Sequence, residues 1–319
     1  MDFELSLIAP ALNEECNIAA FCDMLRCDLA PRVEGAIELI FIDDGSTDES
    51  FERMREATEN CQDFCTVKAI RFSRNFGKEA AIYAGLQQAQ GNFVGIIDVD
   101  LQQTANDLAN MLELLKASPH ADCVAAVAKS RKKSRSTAWL SKRFYHVLGK
   151  SSHMDIIDNA SDFRVFRASI AQALLDMPEY YRFSKGLFAW VGFSTIAYEY
   201  TPAERHAGET NWTFGKLAAY ALDGILSFTT TPLRLATYAG TITSVLAAVY
   251  AIVLVIRRLI YGIDVPGYAS IAVLVLFFGG FQLLILGIIG EYLGRLYIEN
   301  KQRPQYIVRE IVTTKSDHA

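Results

Sequence analysis

The sequence predicts an α/β fold, a doubly wound and mostly parallel sheet, followed by interfacial amphipathic helices and two transmembrane helices. Three observations carry this. Short apolar runs alternate with helical patterns through roughly the first 130 residues, as in a sheet covered by helices on both faces. Acids gather at the ends of those runs. Two long uncharged stretches lie in the C-terminal third.

Taken in order, residues 5–9 read as a strand, and Asn13 is placed to cap a helix that continues past Leu25. Residues 37–42 form a second strand ending in Asp43-Asp44-Gly45, after which Ser46-Thr47-Asp48-Glu49 has the spacing of a capping box. Residues 67–72 are a third strand, followed by the loop Ser73-Arg74-Asn75-Phe76-Gly77-Lys78. A helix from Glu79 to about Gln90 ends at Gly91, as a C′ glycine would end it. Residues 93–97 and 123–128 complete the set of strands. In such sheets ligands bind beyond the carboxyl ends of the strands, where Asp43, Asp44, Asp98 and Asp100 all fall.

The segment Asp98-Val99-Asp100-Leu101-Gln102 follows the strand 93–97 directly. Two carboxylates at i and i+2, with a side-chain carbonyl two residues on, suit one hard divalent cation, Mg²⁺ or Mn²⁺, completed by substrate phosphates. The bland alternative is that Asp98 and Asp100 cap the next helix. Neither Gly-x-Gly-x-x-Gly after the first strand nor Gly-x₄-Gly-Lys-Ser/Thr is present, which argues against a dinucleotide-binding or P-loop protein. A nucleotide here would be held by acids and a metal.

Residues 235–256 and 265–290 carry no charge, and helices of that length would be about 33 and 39 Å long, against a hydrocarbon core of roughly 30 Å. They read as two spans joined by a loop holding Arg257, Arg258 and Asp264. No basic flank precedes an apolar stretch at the N-terminus, so no signal peptide is expected. Arg234, Arg295, Lys301, Arg303 and Arg309 flank the spans and outnumber the loop's two arginines, which places both termini in the cytoplasm. The expected organisation is a catalytic domain over 1–212, a juxtamembrane amphipathic segment over 213–234, the two spans, and a cytoplasmic tail over 291–319.

Charged residues are 21% and hydrophobic residues 51% of the chain, as expected for a soluble domain fused to a hairpin. The six cysteines form no metal-binding pattern and read as structural or incidental. From Arg131 to Lys150 there are seven Lys or Arg and no acid, with Leu140, Phe144, Val147 and Leu148 at helical spacing. That pattern favours a membrane-surface helix over a solvated helix packing its apolar stripe on the sheet, and residues 214–228 suggest a second. Arg164, Arg182, Lys185 and Arg205 lie between, and arginine holds phosphate through a bidentate fork. Together with Arg131 they suggest sites for a nucleotide pyrophosphate and a lipid phosphate.

The segments Pro10-Ala11-Leu12-Asn13-Glu14-Glu15, Ile42-Asp43-Asp44-Gly45-Ser46-Thr47-Asp48, Ser73-Arg74-Asn75-Phe76-Gly77-Lys78-Glu79 and Asp98-Val99-Asp100-Leu101-Gln102 resemble those of family 2 glycosyltransferases, with a Rossmann-like GT-A domain. More narrowly the chain resembles polyprenyl-phosphate glycosyltransferases such as dolichol-phosphate mannose synthase. Ser161-Asp162-Phe163-Arg164, the hairpin, Gly290-Glu291-Tyr292-Leu293-Gly294-Arg295 and Arg303-Pro304 bring it nearest the bactoprenol glucosyltransferases of O-antigen modification. The resemblance implies that Asp98, Asp100 and Gln102 hold the metal. It also implies that Pro10, Leu12, Asn13, Glu14, Ile42, Asp44, Lys78, Val99 and Arg205 contact the nucleotide sugar. Asp162 would lie near the transferring sugar, making Asp98, Asp100 and Asp162 the catalytic set, with Arg131, Arg164, Arg182 and Lys185 on phosphate and the lipid acceptor. Three positions depart from the family's pattern: Gln103-Thr104 replaces the usual Asp-Pro, Ala160-Ser161 stands where a glycine commonly precedes Asp-Phe-Arg, and Asn211 stands where many members carry lysine.

The implied activity is inverting transfer of one hexose, glucose from UDP-glucose, to undecaprenyl phosphate at a bacterial inner membrane. Rival readings are the same reaction with GDP-mannose or UDP-N-acetylglucosamine, or an inactive membrane scaffold. A processive synthase is disfavoured by the missing Gln-x-x-Arg-Trp motif. The expected partners are the nucleotide sugar, the lipid phosphate and the bilayer; nucleic acid is not among them, and a homo-oligomer is left open.

Overall fold

The computed structural model describes residues 3–129, 157, 160–203, 229–261 and 267–314. Arg131, Arg205, Asn211 and the expected interfacial segments 131–150 and 214–228 lie outside the described residues. The chain divides into two compact units, one of Met1–Ala221 with Pro304–Ala319 and one of Leu222–Arg303.

The first unit is built on eight strands among the described residues: β1 (Phe3–Ala11), β2 (Ala36–Asp43), β3 (Thr66–Phe72), β4 (Phe93–Ile96), β5 (Cys123–Ala128), β6 (Ala160–Arg167), β7 (Thr195–Tyr200) and β8 (Val308–Thr313). Their order across the sheet is β7-β5-β6-β4-β1-β2-β3-β8. Strands β1, β2, β3 and β4 are mutually parallel, and β5 and β7 pair in parallel. Strand β6 is antiparallel to β4 and β5, and β8 is antiparallel to β3. The sheet is therefore mixed, with the parallel core expected from the sequence.

Helices α1 (Ile18–Met24), α2 (Ser50–Asn60), α3 (Lys78–Gln88) and α4 (Ala105–Ala117) connect the first strands, and α5 (Ala168–Leu175) and α6 (Ser184–Trp190) follow β6. Side chains alternate between faces along a strand. Leu39 and Phe41 accordingly join Phe21, Met54 and Leu108 in one core, while Ile40 and Ile42 pack with Ile70, Phe72, Ala80 and Ala84 of α3 in another. Burial on both faces is why the strands read as continuous apolar runs.

Four local expectations give way. Asn13 does not cap a helix. It sits at φ 58°, its Oδ1 accepts from the Thr47 amide at 3.0 Å, and α1 starts at Ile18 before passing into a π-helical turn at Leu25–Leu29. Ser46 to Glu49 do not form a capping box, because α2 starts at Ser50. Ser46 Oγ accepts from the Asn13 amide at 2.9 Å, and Glu49 N–H donates to Glu15 Oε2 at 2.8 Å, so those groups join two loops instead. Gly91 is not a helix terminator, since α3 ends at Gln88; a Cβ there would come within 2.7 Å of the Ser6 amide, so close approach to β1 requires glycine. Finally, the expected tail is not merely a tail. It supplies β8, with Ser73 N–H donating to Ile307 O at 2.9 Å and Tyr306 stacked on Phe72.

The second unit holds α7 (Thr231–Tyr261) and α8 (Tyr268–Asn300). Arg257 and Arg258, expected in a loop, belong to the end of α7. The stretches Thr231–Leu254 and Val273–Asn300 are long and apolar enough to cross a membrane. Leu246, Phe277 and Leu283 are each more than 60% exposed, a surface that water alone does not favour.

Candidate active site

The site grows from the carboxyl ends of β2, β3 and β4. Strand β4 runs into Asp98-Val99-Asp100, after which Leu101 at φ 61° turns the chain so that Gln102 N–H donates to Asp100 Oδ1 at 3.1 Å. Neither acid caps α4. That role falls to Thr104, whose hydroxyl accepts from the Asp107 amide at 3.1 Å, so the bland reading of the pair does not hold.

The antiparallel strand β6 then does what a parallel one could not. Ile96 pairs with Arg164, and two residues further along each strand lie Asp98 and Asp162. Lys78, the first residue of α3, closes the gap, with Nζ 2.6 Å from Asp98 Oδ1 and 3.5 Å from Asp162 Oδ2. Asp98 is held from its other side by Gln103, which is buried. The Gln103 amide donates to Asp98 Oδ2 at 3.0 Å, and its carbonyl accepts from the Asp98 amide at 2.9 Å.

Charge is balanced tightly here. Burial opposes ionisation of Asp162, but Lys78, Lys185 and Arg164 outweigh it and hold the carboxyl below its ordinary range. Burial likewise works against the Lys78 ammonium, and Asp98 and Asp162 more than compensate, raising its pKa. Lys185 is pulled down by burial, with Asp162 opposing. Glu79 is pushed up by burial and by the neighbouring Asp162. Its carboxylate accepts from the Ser184 amide at 3.1 Å and from the Ser184 hydroxyl, tying the start of α6, and hence Lys185, to α3.

Arg164 is buried, donates through Nε to Ser161 O at 3.0 Å and lies over the Phe188 ring at 4.4 Å. Arg182 is used differently. Its guanidinium donates to the carbonyls of Met177 and Leu174 and lies 4.5 Å from the Tyr83 ring centre, so it anchors the end of α5. The structure thus gives Arg182 a packing role beside the phosphate role expected of it.

Of the residues expected on the nucleotide, Leu12 and Asn13 are exposed and Glu14 is half-buried, and the amides of Asn13 and Glu14 donate to Ser46 and Ser50. Ile42 and Val99, expected to contact the nucleotide, have fully buried side chains in the two cores, and Pro10 is buried as well. Asp44 is also turned inward. Its oxygens accept from the amides of Phe76 at 2.7 Å and Gly77 at 2.9 Å, and Gly45 at φ 76° lets the two loops touch, since a Cβ there would meet the Arg74 backbone at 2.4 Å. Gln103 and Glu79 are the two site residues that sequence reasoning missed. Glu79 closes the segment 73–79 and Gln103 stands at a departure from the family's pattern, and neither position by itself signals a role.

Among the described residues no cluster of three His, Cys, Asp or Glu side chains is present that could hold a metal alone. Asp98, Asp100 and the Gln102 carbonyl are nevertheless hard oxygen donors on one short turn, the set a divalent ion accepts when phosphates complete its shell.

The chain matches the model of Glycosyl transferase family 2 over residues 6–175. It is 38% identical to the prophage bactoprenol glucosyl transferase homolog of Escherichia coli K12, over 97% of this chain and 99% of that one. It is also 38% identical to the bactoprenol glucosyl transferase of Shigella phage SfV, over 96% and 98%. The crystal structure of Mycobacterium tuberculosis glucosyl-3-phosphoglycerate synthase with Mn²⁺, UDP-glucose and phosphoglyceric acid superposes with a TM-score of 0.51, covering 71% of this chain and 78% of that one at 19% identity. That likeness is one of fold.

Proposed function

The chain belongs to glycosyl transferase family 2, and from that premise we propose that it transfers glucose from UDP-glucose to undecaprenyl phosphate with inversion. The observation that carries the reading is the bridge from Asp98 through Lys78 to Asp162 at the ligand-binding edge of the sheet, in a chain whose full-length relatives include bactoprenol glucosyl transferases. A divalent cation held by Asp98, Asp100 and Gln102 would supply charge neutralisation for the donor phosphates and the departing nucleoside diphosphate.

The chain's own residues account for the rest. An oxygen of the lipid phosphate attacks the anomeric carbon as the bond from that carbon to the diphosphate oxygen breaks. The phosphomonoester is largely ionised near neutral pH, with a second pKa of about 6, so no general base is needed. Asp162, kept ionised by Lys78, Lys185 and Arg164, orients a sugar hydroxyl or the acceptor rather than moving a proton. Lys185 and Arg164 supply positive charge for the lipid phosphate. The return of the chain to the first unit as β8 supports two spans with both flanks on one side, which we assign to the cytoplasm.

The test is full-length protein in detergent with undecaprenyl phosphate, Mn²⁺ and radiolabelled UDP-glucose, UDP-N-acetylglucosamine or GDP-mannose. Label should pass from UDP-glucose into the organic phase. Labelling from another donor alone would change the sugar, and none from any donor would overturn the reading.

A further inference from the structure

Asp98 is expected to bind metal, yet both of its oxygens already have partners from this chain. Gln103 donates to Oδ2 at 3.0 Å and also receives the Asp98 amide at 2.9 Å, so the carboxylate is locked in orientation by two bonds to one side chain. Lys78 Nζ lies 2.6 Å from Oδ1. An ammonium and a divalent cation cannot share one carboxylate oxygen without strong like-charge repulsion at contact distance.

We propose that Lys78 guards Asp98, so that the metal gains it only when a nucleoside diphosphate draws the ammonium away; metal and nucleotide then bind as a coupled pair. This rests on the metal-dependent reading above and adds to it the residue that sets the coupling. Lys78 is suited to exchange partners. Its side chain is 43% exposed, its stem is flexible, and Asp162 Oδ2 at 3.5 Å gives it a second anchor when it leaves Oδ1. A diphosphate offers it charge-assisted bonds at least as strong as those to a carboxylate. Gln103 strengthens the guard, because its amide occupies one lone-pair direction of Oδ2 and fixes the carboxylate with Oδ1 toward Lys78. An aspartate at 103, the residue usual in the family this chain resembles, could not donate to that oxygen. Linkage is reciprocal, so whatever factor the diphosphate adds to metal affinity, the metal adds to that of the diphosphate.

The experiment measures Mn²⁺ binding by electron paramagnetic resonance of free Mn²⁺, on full-length protein in detergent without sugar donor. Each titration is run alone, with UDP, and with inorganic pyrophosphate. Parental protein should bind Mn²⁺ at least tenfold more tightly with UDP, and pyrophosphate should give much of that gain. Lys78→Met should bind Mn²⁺ alone at least fivefold more tightly than the parent and gain correspondingly less from UDP. Lys78→Arg, which keeps the charge, should behave like the parent. If Lys78→Met melts non-cooperatively, Gln103→Ala provides the same comparison, since freeing Oδ2 should raise affinity for Mn²⁺ alone. Unchanged or weaker Mn²⁺ binding in the folded variant overturns the guard while leaving the metal reading standing. Failure of every protein to bind Mn²⁺ with UDP present, with no effect of Asp100→Asn, would overturn both.

Discussion

Two acid pairs stand at strand ends in this sheet, and they are put to opposite uses. After β2, Asp43 accepts from the Ser46 amide at 2.9 Å and lies 3.4 Å from Arg71 Nε, while Asp44 accepts from the amides of Phe76 and Gly77. After β4, Asp98 meets the side chains of Lys78 and Gln103. The first pair is bound mostly by backbone, whose donors cannot leave without unmaking the loop. In the second, Asp100 accepts from the Gln102 amide, but Asp98 is bound by side chains, which can exchange one partner for another. An acid tied to amides is a strut; an acid tied to a lysine can do chemistry.

The comparison breaks first at Asp100. Asp100→Asn keeps shape but loses the charge a hard cation needs, and transfer should fall about a hundredfold or more, on the scale of about 2.7–4 kcal/mol for losing one transition-state electrostatic partner. Melting temperature should hold. Undiminished turnover at saturating Mn²⁺ would remove Asp100 from the metal site.

Asp44→Ala should do the reverse and act on stability first. Two partly buried amide donors lose their acceptor, at about 1 kcal/mol each, and each kcal/mol lowers the melting temperature of a domain this size by about 2–4 °C. Asp44→Asn, which retains an acceptor oxygen, should recover part of the loss. If Asp44→Ala melts with the parent yet loses UDP binding, Asp44 belongs with the functional pair.

Two arginines sharpen the same contrast. Arg164 backs Asp162 electrostatically, and Arg164→Ala should lower transfer roughly tenfold through loss of a charge-assisted partner. Arg182 anchors α5, so Arg182→Ala should chiefly lower the melting temperature. Equal kinetic losses with unchanged melting would return Arg182 to phosphate binding.

Why the sequence could be read so far is visible in these residues. Apolar runs buried on both faces announce a parallel sheet, and acids at their ends announce its binding edge, because both patterns are local. What was missed is tertiary. Nothing near Asp162 says that β6 is antiparallel and delivers it opposite Asp98. The pairing of β8 with β3 joins residues separated by the whole hairpin. Ser46 and Asn13 look like caps because a capping side chain and a loop-bridging one have the same chemistry. Arg182 and Arg164 are likewise indistinguishable until Arg182 is seen donating to two carbonyls at the end of α5 and Arg164 is seen supporting the ionised Asp162.

The smallest expected effect is a midpoint that does not move. Asp162 is held below its ordinary range, so it stays ionised as pH falls through the usual carboxylate pKa of about 3.9; its contribution to stability is present above that value and is lost only as pH drops through its depressed native pKa. It therefore has no titration to offer between pH 5 and 8. The attacking lipid phosphate does, with a second pKa of about 6. The rate at subsaturating lipid should accordingly fall on the acid side with a midpoint near that of the phosphate. Asp162→Asn should lower the whole profile through lost orientation and leave its midpoint in place. A midpoint that shifts by a unit in this variant would mean that Asp162 carries the proton, and would replace the orienting role with general-base catalysis.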